Sequence, residues 1–503
     1  MNGTDVNSWF WSFLSNALTM EGFLFGGAVL ILGVWMLSRR RRLPPGPRGI
    51  PWIGIGSQLT EPLHVEAMRM RQEYNSDIIS FTLHGQLTAV LHGYQLIKDA
   101  FSTRGLEIAD RPCLPIHRAG FVDEIITGSP SKDKDWATKK KFAISVFRNY
   151  GYGTKTAEDK IHSEFNKLLE FLRETNGVPV DMARATQHAI ARVITNLVYS
   201  SNYLNDDPEV DRLIGMIQDC FATDFSEDLM SACVLPAWLM NIVNPRPMAE
   251  AKNANQKLKS FMMEIMKDHK ASLDQDNPRD MVDAYLIARK GTDIEDSTLV
   301  FTLIMFYFDA IETLHTVAME GILQIVANAK IQDKLQEELD EVVGRSGRPR
   351  LSNKPDLKYL QAIVLESLRI SNSVPLGVEH SPQGDIILAG YDIPRGSSVF
   401  ASLYSVHMDP DIFSEPEQFS PEHFLNDAGE VVNSEYCIPF SIGRRMCIGD
   451  QMSKTELFLL FASIFHEFRL SLPPEKQEQT KLTSSVCCYL QKPPTFDVCA
   501  VPR

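Results

Sequence analysis

Three hydrophobic patterns divide the chain. Gly22 to Leu37 is a run of sixteen residues without a charge. Ile78 to Val90 is rich in apolar and β-branched residues, with Gly85 placed as a turn, and predicts a short strand pair. Beyond Val90 most of the chain repeats apolar residues at helical spacing. The uncharged run is slightly short of the roughly 20 residues that cross a bilayer, and it suits the thinner membrane of the endoplasmic reticulum. Arg39 to Arg42 come directly after it, and positive charge on that flank holds it in the cytosol. A cleaved signal peptide has its charge before the apolar run, so the order here predicts an uncleaved anchor. The expected organisation is a lumenal segment at 1–21, a transmembrane signal anchor at 22–38, a basic and proline-rich hinge at 39–56, and one large domain at 57–503.

Within that domain the longest helical pattern is Ser297 to Ala329, with Asp296 or Ser297 as its cap. Its apolar stretch, Leu299 to Phe308, is too short for a second span and ends in Asp309, Glu312 and His315, which predicts a buried core helix. Asp135 to Phe147 reads as a helix with Trp136 and Lys140 on one face, and Ile448 to Phe465 as another. Glu366 and Arg369 have the spacing of an ion pair on one helix face. The same spacing recurs at Glu66 and Arg69, Glu170 and Arg173, and Glu209 and Arg212. Ile214 to Met266, rich in methionine and aromatics, fits either a core helix or an adaptable roof over a lipophilic pocket near the membrane, with Trp238 as a shallow contact. The fold class is mainly α with a small β portion.

Charge and cysteines narrow the function. The 503 residues carry a formal net charge of −14, which argues against nucleic acid as a general partner. The eight cysteines show no Cys-x-x-Cys spacing of a zinc or dithiol site and fit a reducing compartment.

One of them sits in unusual company. Phe440-Ser441-Ile442-Gly443-Arg444-Arg445-Met446-Cys447-Ile448-Gly449 brackets a single cysteine with two glycines, as a sharp turn that brings a sulfur up to a flat ligand would need. Arg444, Arg445 and the N-terminus of the next helix are expected to favour thiolate over thiol. This Phe-x-x-Gly-x-Arg-x-Cys-x-Gly stretch resembles the haem-binding loop of the cytochrome P-450 superfamily. The resemblance covers nearly all of Leu43 to Pro494 and points to the animal microsomal drug- and steroid-oxidising branch, a family 2-like clan. It implies the cytochrome P-450 fold, as a single large catalytic domain behind the anchor, and makes Cys447 the axial thiolate ligand of haem b iron. By the same resemblance Phe440, Gly443, Arg445 and Gly449 form the haem loop, and Trp136, Lys140, Arg111 and His380 reach the haem propionates. Lys140 stands where arginine is usual and loses the planar fork.

Asp309-Ala310-Ile311-Glu312-Thr313-Leu314 resembles the family's oxygen-activating segment; Glu312 and Thr313 match it, whereas Asp309, Ala310 and Leu314 depart. The pair is expected to relay protons, or the Thr313 hydroxyl bonds back to the Asp309 carbonyl. Glu366 and Arg369, with His423 in Pro421-Glu422-His423-Phe424, are implied to lock the haem loop. Asp309, Ala310, Val374 and Val378 are expected to line the substrate pocket. The resemblance implies a membrane-bound monooxygenase acting on a steroid, fatty acid or xenobiotic with O2. Electrons from NADPH come through NADPH-cytochrome P-450 reductase, docked on Lys139, Lys141, Arg148 and Lys454, with cytochrome b5 as an optional donor. The expected location is the endoplasmic reticulum membrane, single-pass, with the catalytic domain cytosolic and in contact with membrane lipid. A haem-thiolate isomerase or dehydratase acting on a peroxide without external electrons, and a haem-binding sensor, are the alternatives.

Overall fold

The computed structural model describes residues 41–50, 54–83, 85–112, 140–141, 143–145, 155–199, 207–224, 246–291, 296–474, 486–487 and 490–503. The anchor at 22–38, Asn2, Trp136, Lys139, Arg148 and the Trp238 region lie outside the described residues. No helix among the described residues is long and apolar enough to cross a membrane.

The architecture is mainly helical with small sheets. Helices α1 (Leu63–Tyr74) and α2 (Tyr94–Lys98) flank the strand pair β1 (Ile78–Leu83) and β2 (Gln86–Leu91). These strands are antiparallel, with Leu83 opposite Gln86 across a turn in which Gly85 has φ +74°, as the sequence predicts. β2 also pairs in parallel with β6 (Ser398–Ala401), and β4 (Ile386–Leu388) pairs with β5 (Tyr391–Ile393). A third sheet orders β3 (Val180–Asp181), β10 (Asp497–Pro502) and β7 (Phe468–Ser471), and β8 (Val486–Cys487) pairs with β9 (Leu490–Gln491).

The helical body contains α3 (Lys155–Glu174), α4 (Met182–Tyr199), α5 (Asp207–Asp224), α6 (Arg246–Ala271), α7 (Met281–Ala288), α8 (Asp296–Ala327), α9 (Ala329–Val342), α10 (Lys358–Ser371), α11 (Leu403–His407) and α12 (Asp450–Glu467). α8 is the axis. Leu303, Tyr307, Ile311, Leu314 and Ala318 recur at three to four residues and are all buried, so one stripe of α8 is core, as its pattern predicts. α4 packs along it, with the Tyr199 and Tyr307 rings stacked 5.1 Å apart. Gly321 lets α10 and α12 approach, because a Cβ there would lie 2.5 Å from Ser367 Oγ and 2.6 Å from Phe461 Cζ.

Three expectations change in detail. α8 ends at Ala327, and Asn328 caps a separate helix, α9. The proline-rich segment is not a free spacer from Pro44 onward. Pro44 is buried, the Pro45 carbonyl accepts from Ser80 N at 2.7 Å, and a Cβ on Gly46 would lie 2.1 Å from the Ser80 carbonyl, so the segment is laid against β1. Met262 and Met266 are core residues, and Met262 Sδ accepts from the buried Tyr199 hydroxyl at 2.8 Å.

Candidate functional site

Cys447 is presented by a loop folded against the segment that comes after α2. The chain turns at Ser441 (φ 59°) and Gly443 (φ 81°), and Phe440 carbonyl accepts from Cys447 N at 3.0 Å to close the turn. Gly443 is needed for a different approach from the one its sequence position implies. A Cβ there would stand 1.8 Å from the Phe101 carbonyl oxygen, so protein backbone, rather than a ligand, excludes a side chain. Gly449 has φ −83° and a Cβ there would make ordinary contact with Cys447 Sγ at 3.6 Å. Its contribution is its N–H, which donates to Cys447 Sγ at 3.3 Å just where α12 begins.

Cationic groups surround the loop. Lys140 Nζ donates to the Arg444 carbonyl at 2.7 Å and the Met446 carbonyl at 3.4 Å, and Arg445 Nε donates to the Ala109 carbonyl at 2.7 Å. Arg111 donates to the carbonyls of Glu379 and Val378 and lies 3.3 Å from His380 Nδ1, while the His380 ring packs 3.9 Å from that of Phe101. Burial, then mutual repulsion, lowers these bases: Arg445 to about 9 by burial and Arg111, and Lys140 by burial and Arg445. Burial alone brings Arg111 to about 10, against the pull of Glu379, and burial with the Arg111 charge keeps His380 neutral. Phe440 is half-buried, with Lys454 Nζ 5.5 Å from its ring centroid; Lys454 also pairs with Asp450 at 2.7 Å.

The expectation that nearby arginines favour thiolate is reversed for the free thiol. Cys447 is accessible at its surface yet set deep among protein atoms, and burial pushes it up to about 11, with the Gly449 N–H and Lys140 opposing and Asp309 and Asp450 adding. Arg445 is spent on the Ala109 carbonyl, and burial outweighs the N–H at the helix end.

Asp309, on the polar turn of α8, is near enough to Cys447 for its charge to act on the thiol. Thr313 Oγ1 donates to the Asp309 carbonyl, the back-bonded arrangement that the sequence left as its alternative. Glu312 Oε1 accepts from Gln187 Nε2 of α4 at 2.9 Å, and burial raises the Glu312 carboxyl against that bond. Asp309 is exposed in the cleft and Ala310 half-buried beside it; protein at longer range raises the Asp309 carboxyl to about 7. His315 belongs to the core, neutral through burial, with Nε2 at 2.9 Å from the Ala183 carbonyl. Val374 is half-buried and reaches this wall through a neighbour: Ser373 carbonyl accepts from Gln491 N at 3.0 Å, and Gln491 carbonyl accepts from Thr316 Oγ1 at 3.3 Å. Val378 is exposed beside Arg111.

Behind the loop, Glu366 and Arg369 are both fully buried and joined by two bonds of 2.7 Å. Arg369 also donates to the carbonyls of His407 and Pro416, each at 2.7 Å, and of Gln418 at 3.1 Å. Glu366 Oε1 accepts from Ser420 N at 2.8 Å and meets His423 Nδ1 at 3.1 Å. Sequence reasoning missed His407, which carries this web to the loop. Burial lowers it to about 3, so it is neutral; Nε2 accepts from Ile438 N at 3.0 Å, which leaves Nδ1 to donate to Asn372 Oδ1 at 2.8 Å. Gln187 and Phe101 were also missed, since neither lies in a motif; packing alone brings them to the site.

Comparison with known proteins matches most of the chain. The family described as Cytochrome P450 matches residues 44–500. Cytochrome P450 18a1 of Drosophila melanogaster is 33% identical over 498 residues, covering 95% of this chain and 90% of the relative. Cytochrome P450 2C7 of Rattus norvegicus is 31% identical over 486 residues (94% and 97%), and Cytochrome P450 2G1 of Oryctolagus cuniculus is 29% identical over 500 residues (97% and 100%).

Proposed function

From the premise that the chain belongs to the cytochrome P450 family and is a cytochrome P450 monooxygenase, we propose that it inserts one oxygen atom of O2 into a lipophilic small molecule in the cleft between Cys447 and the Asp309–Thr313 turn. The observation that carries this reading is an accessible sulfur at a helix start, held in the loop of glycines and arginines, on which the acid Asp309 of α8 acts. The residues fit haem b. Cys447 offers one soft donor with an N–H beside it, and Lys140, Arg111 and Arg445 crowd positive charge where a ligand carrying carboxylates would relieve their repulsion. When bound, the haem supplies dioxygen activation and transfer of oxygen to carbon.

The protein's own residues hold, orient and move protons. Cys447 would hold the haem iron through its sulfur, with the Gly449 N–H stabilising negative charge there. Glu312, whose carboxyl burial raises against the Gln187 bond, is the proton donor, and Gln187 fixes its carboxyl. The Thr313 hydroxyl hydrogen, now on the Asp309 carbonyl, turns into the cleft when a water or substrate oxygen arrives to accept it. Glu366, Arg369, His423 and His407 hold the loop. Residues 22–38 anchor the domain in the endoplasmic reticulum membrane with the catalytic part cytosolic. NADPH-cytochrome P-450 reductase, with cytochrome b5 as a second donor, docks on the basic face that includes Lys141 and Lys454.

Cys447→Ala tests the assignment. The reduced carbon monoxide complex should lose the red-shifted Soret band that reports thiolate ligation, while Cys447→His should retain haem without that band. A mutant that kept the band would overturn the ligand assignment.

A further inference from the structure

The first described residues of the chain are fastened to a hairpin that the oxidation chemistry does not use. Arg42 N donates to Asp392 Oδ2 at 2.7 Å, the Arg42 carbonyl accepts from Asp392 N at 2.8 Å, and the Arg42 guanidinium lies 5.4 Å from the Tyr391 ring centroid. Arg41 pairs with Asp385 at 3.0 Å. The β4–β5 hairpin is therefore strapped to the chain just past the uncharged run. Ser38 and Arg41 are three residues apart, which span at most about 11 Å in any conformation. Headgroups add roughly 5 to 8 Å to each side of a bilayer's hydrocarbon core, so the strap brings the hairpin within reach of that layer.

The hairpin carries the side chains that such a position calls for. Ile386 to Tyr391 contains no charge, and Ile387 is 63% exposed on it. Arg104 Nη1 donates to the Ile387 carbonyl at 2.6 Å and pairs with Glu107, which keeps the loop carrying Leu106, 65% exposed, beside the hairpin. These are the two most exposed large apolar side chains among the described residues. One such residue alone is ordinary, but two on adjoining loops form a patch. The flanking charges are matched, Asp385 by Arg41 and Arg104 by Glu107, which lowers the cost of bringing them against lipid. Resting on the reading of residues 22–38 as a membrane anchor, we propose that the β4–β5 hairpin and the Leu106 loop form a lipid-contact surface whose Ile387 and Leu106 side chains enter the boundary between headgroups and acyl chains. Because the segment from Pro44 is itself laid against β1, the strap restricts how the catalytic domain tilts on the bilayer.

The test uses the full-chain holoenzyme in phosphatidylcholine vesicles doped with a phosphatidylcholine that carries a diazirine near the glycerol end of its acyl chain. After irradiation, labelled peptides are quantified by mass spectrometry. Peptides containing Ile387 and Leu106 should be labelled about tenfold more than the one containing Val501, which is 54% exposed on a different sheet, because burying one isoleucine side chain favours insertion by at least that factor. Ile387→Asp should remove most of the hairpin labelling, and Asp392→Ala, which releases the Arg42 strap, should reduce it severalfold, with labelling of residues 22–38 unchanged in both. The reduced carbon monoxide spectrum of each variant checks that the domain is folded and haem-loaded. Hairpin labelling no higher than that of Val501, or unaffected by the two substitutions, overturns the inference, whether the surface then proves free in water or covered by a second copy of the chain. Labelling of residues 22–38 without the hairpin would overturn this surface and not the anchor; labelling of the hairpin without residues 22–38 would overturn the anchor and not this surface.

Discussion

The two walls around Cys447 treat buried acids in opposite ways. Behind the loop, burial works against the Glu366 charge, but Arg369, His423 and Ser420 outweigh it and hold the carboxyl below its ordinary range. In front, burial prevails at Asp309 and Glu312, and both carboxyls are raised. An acid whose every lone pair is occupied is a fastener. An acid left with capacity is available to a ligand or a proton, the environment that active sites tend to build.

The comparison breaks first on the rear wall. Glu366→Ala or Arg369→Ala strands one member of a fully buried pair and should cost about 3 to 5 kcal/mol, read as lost haem-loaded protein and a lower midpoint in denaturant. Arg69→Ala is the milder comparison: Arg69 has the same spacing from Glu66 but a side chain 64% exposed, and Glu66 keeps its bonds from Thr60, so its loss should lower the midpoint less than either rear-wall variant. Normal haem yield from both rear-wall variants would make that wall dispensable.

A smaller effect is expected at the link between the wall and the loop. His407→Leu leaves the Ile438 N–H without its acceptor and should cost about 1 to 3 kcal/mol by chemical denaturation. On the front wall the stability effect shrinks while the chemical one grows. Thr313→Ala should shift stability by no more than about 0.5 kcal/mol, yet product formed per NADPH should fall as peroxide rises. Unchanged coupling would remove Thr313 from proton delivery.

The smallest effect concerns a fastener remote from the site. His269 Nε2 lies 2.9 Å from Asp280 and Nδ1 2.9 Å from the Ile265 carbonyl, so both nitrogens donate and the group is a charged pair rather than a metal ligand set with nearby Asp283. Burial opposes the charge, but Asp280 and Ile265 raise His269 above the ordinary 6.5. A raised folded value means that the pair's stabilisation is complete below 6.5 and declines as pH rises through the folded value. The stability advantage of wild type over His269→Gln should therefore narrow above pH 6.5, and thermal unfolding across that window checks it.

The sequence by itself determined the elements and the centre of the chemistry. Apolar and β-branched composition around Gly85 located β1 and β2, and helical spacing located α8 and α12, because both are local consequences of backbone geometry. The ten residues around Cys447 marked the proposed ligand because sulfur, glycine and arginine are scarce enough in combination to be read without neighbours. Only the tertiary structure decided which of four identical Glu-x-x-Arg spacings matters. Arg173 turns to Glu467, Arg212 lies over the Phe261 ring, and Arg69 stays in solvent, while Glu366 and Arg369 alone among these pairs are both sealed from water. It also decided that Gly443 makes room for the Phe101 carbonyl, and that His407 carries the rear wall to the loop. Each depends on which distant segment is packed alongside, and burial and partner geometry, rather than residue type, set whether a charge is shielded, satisfied or left open to a ligand.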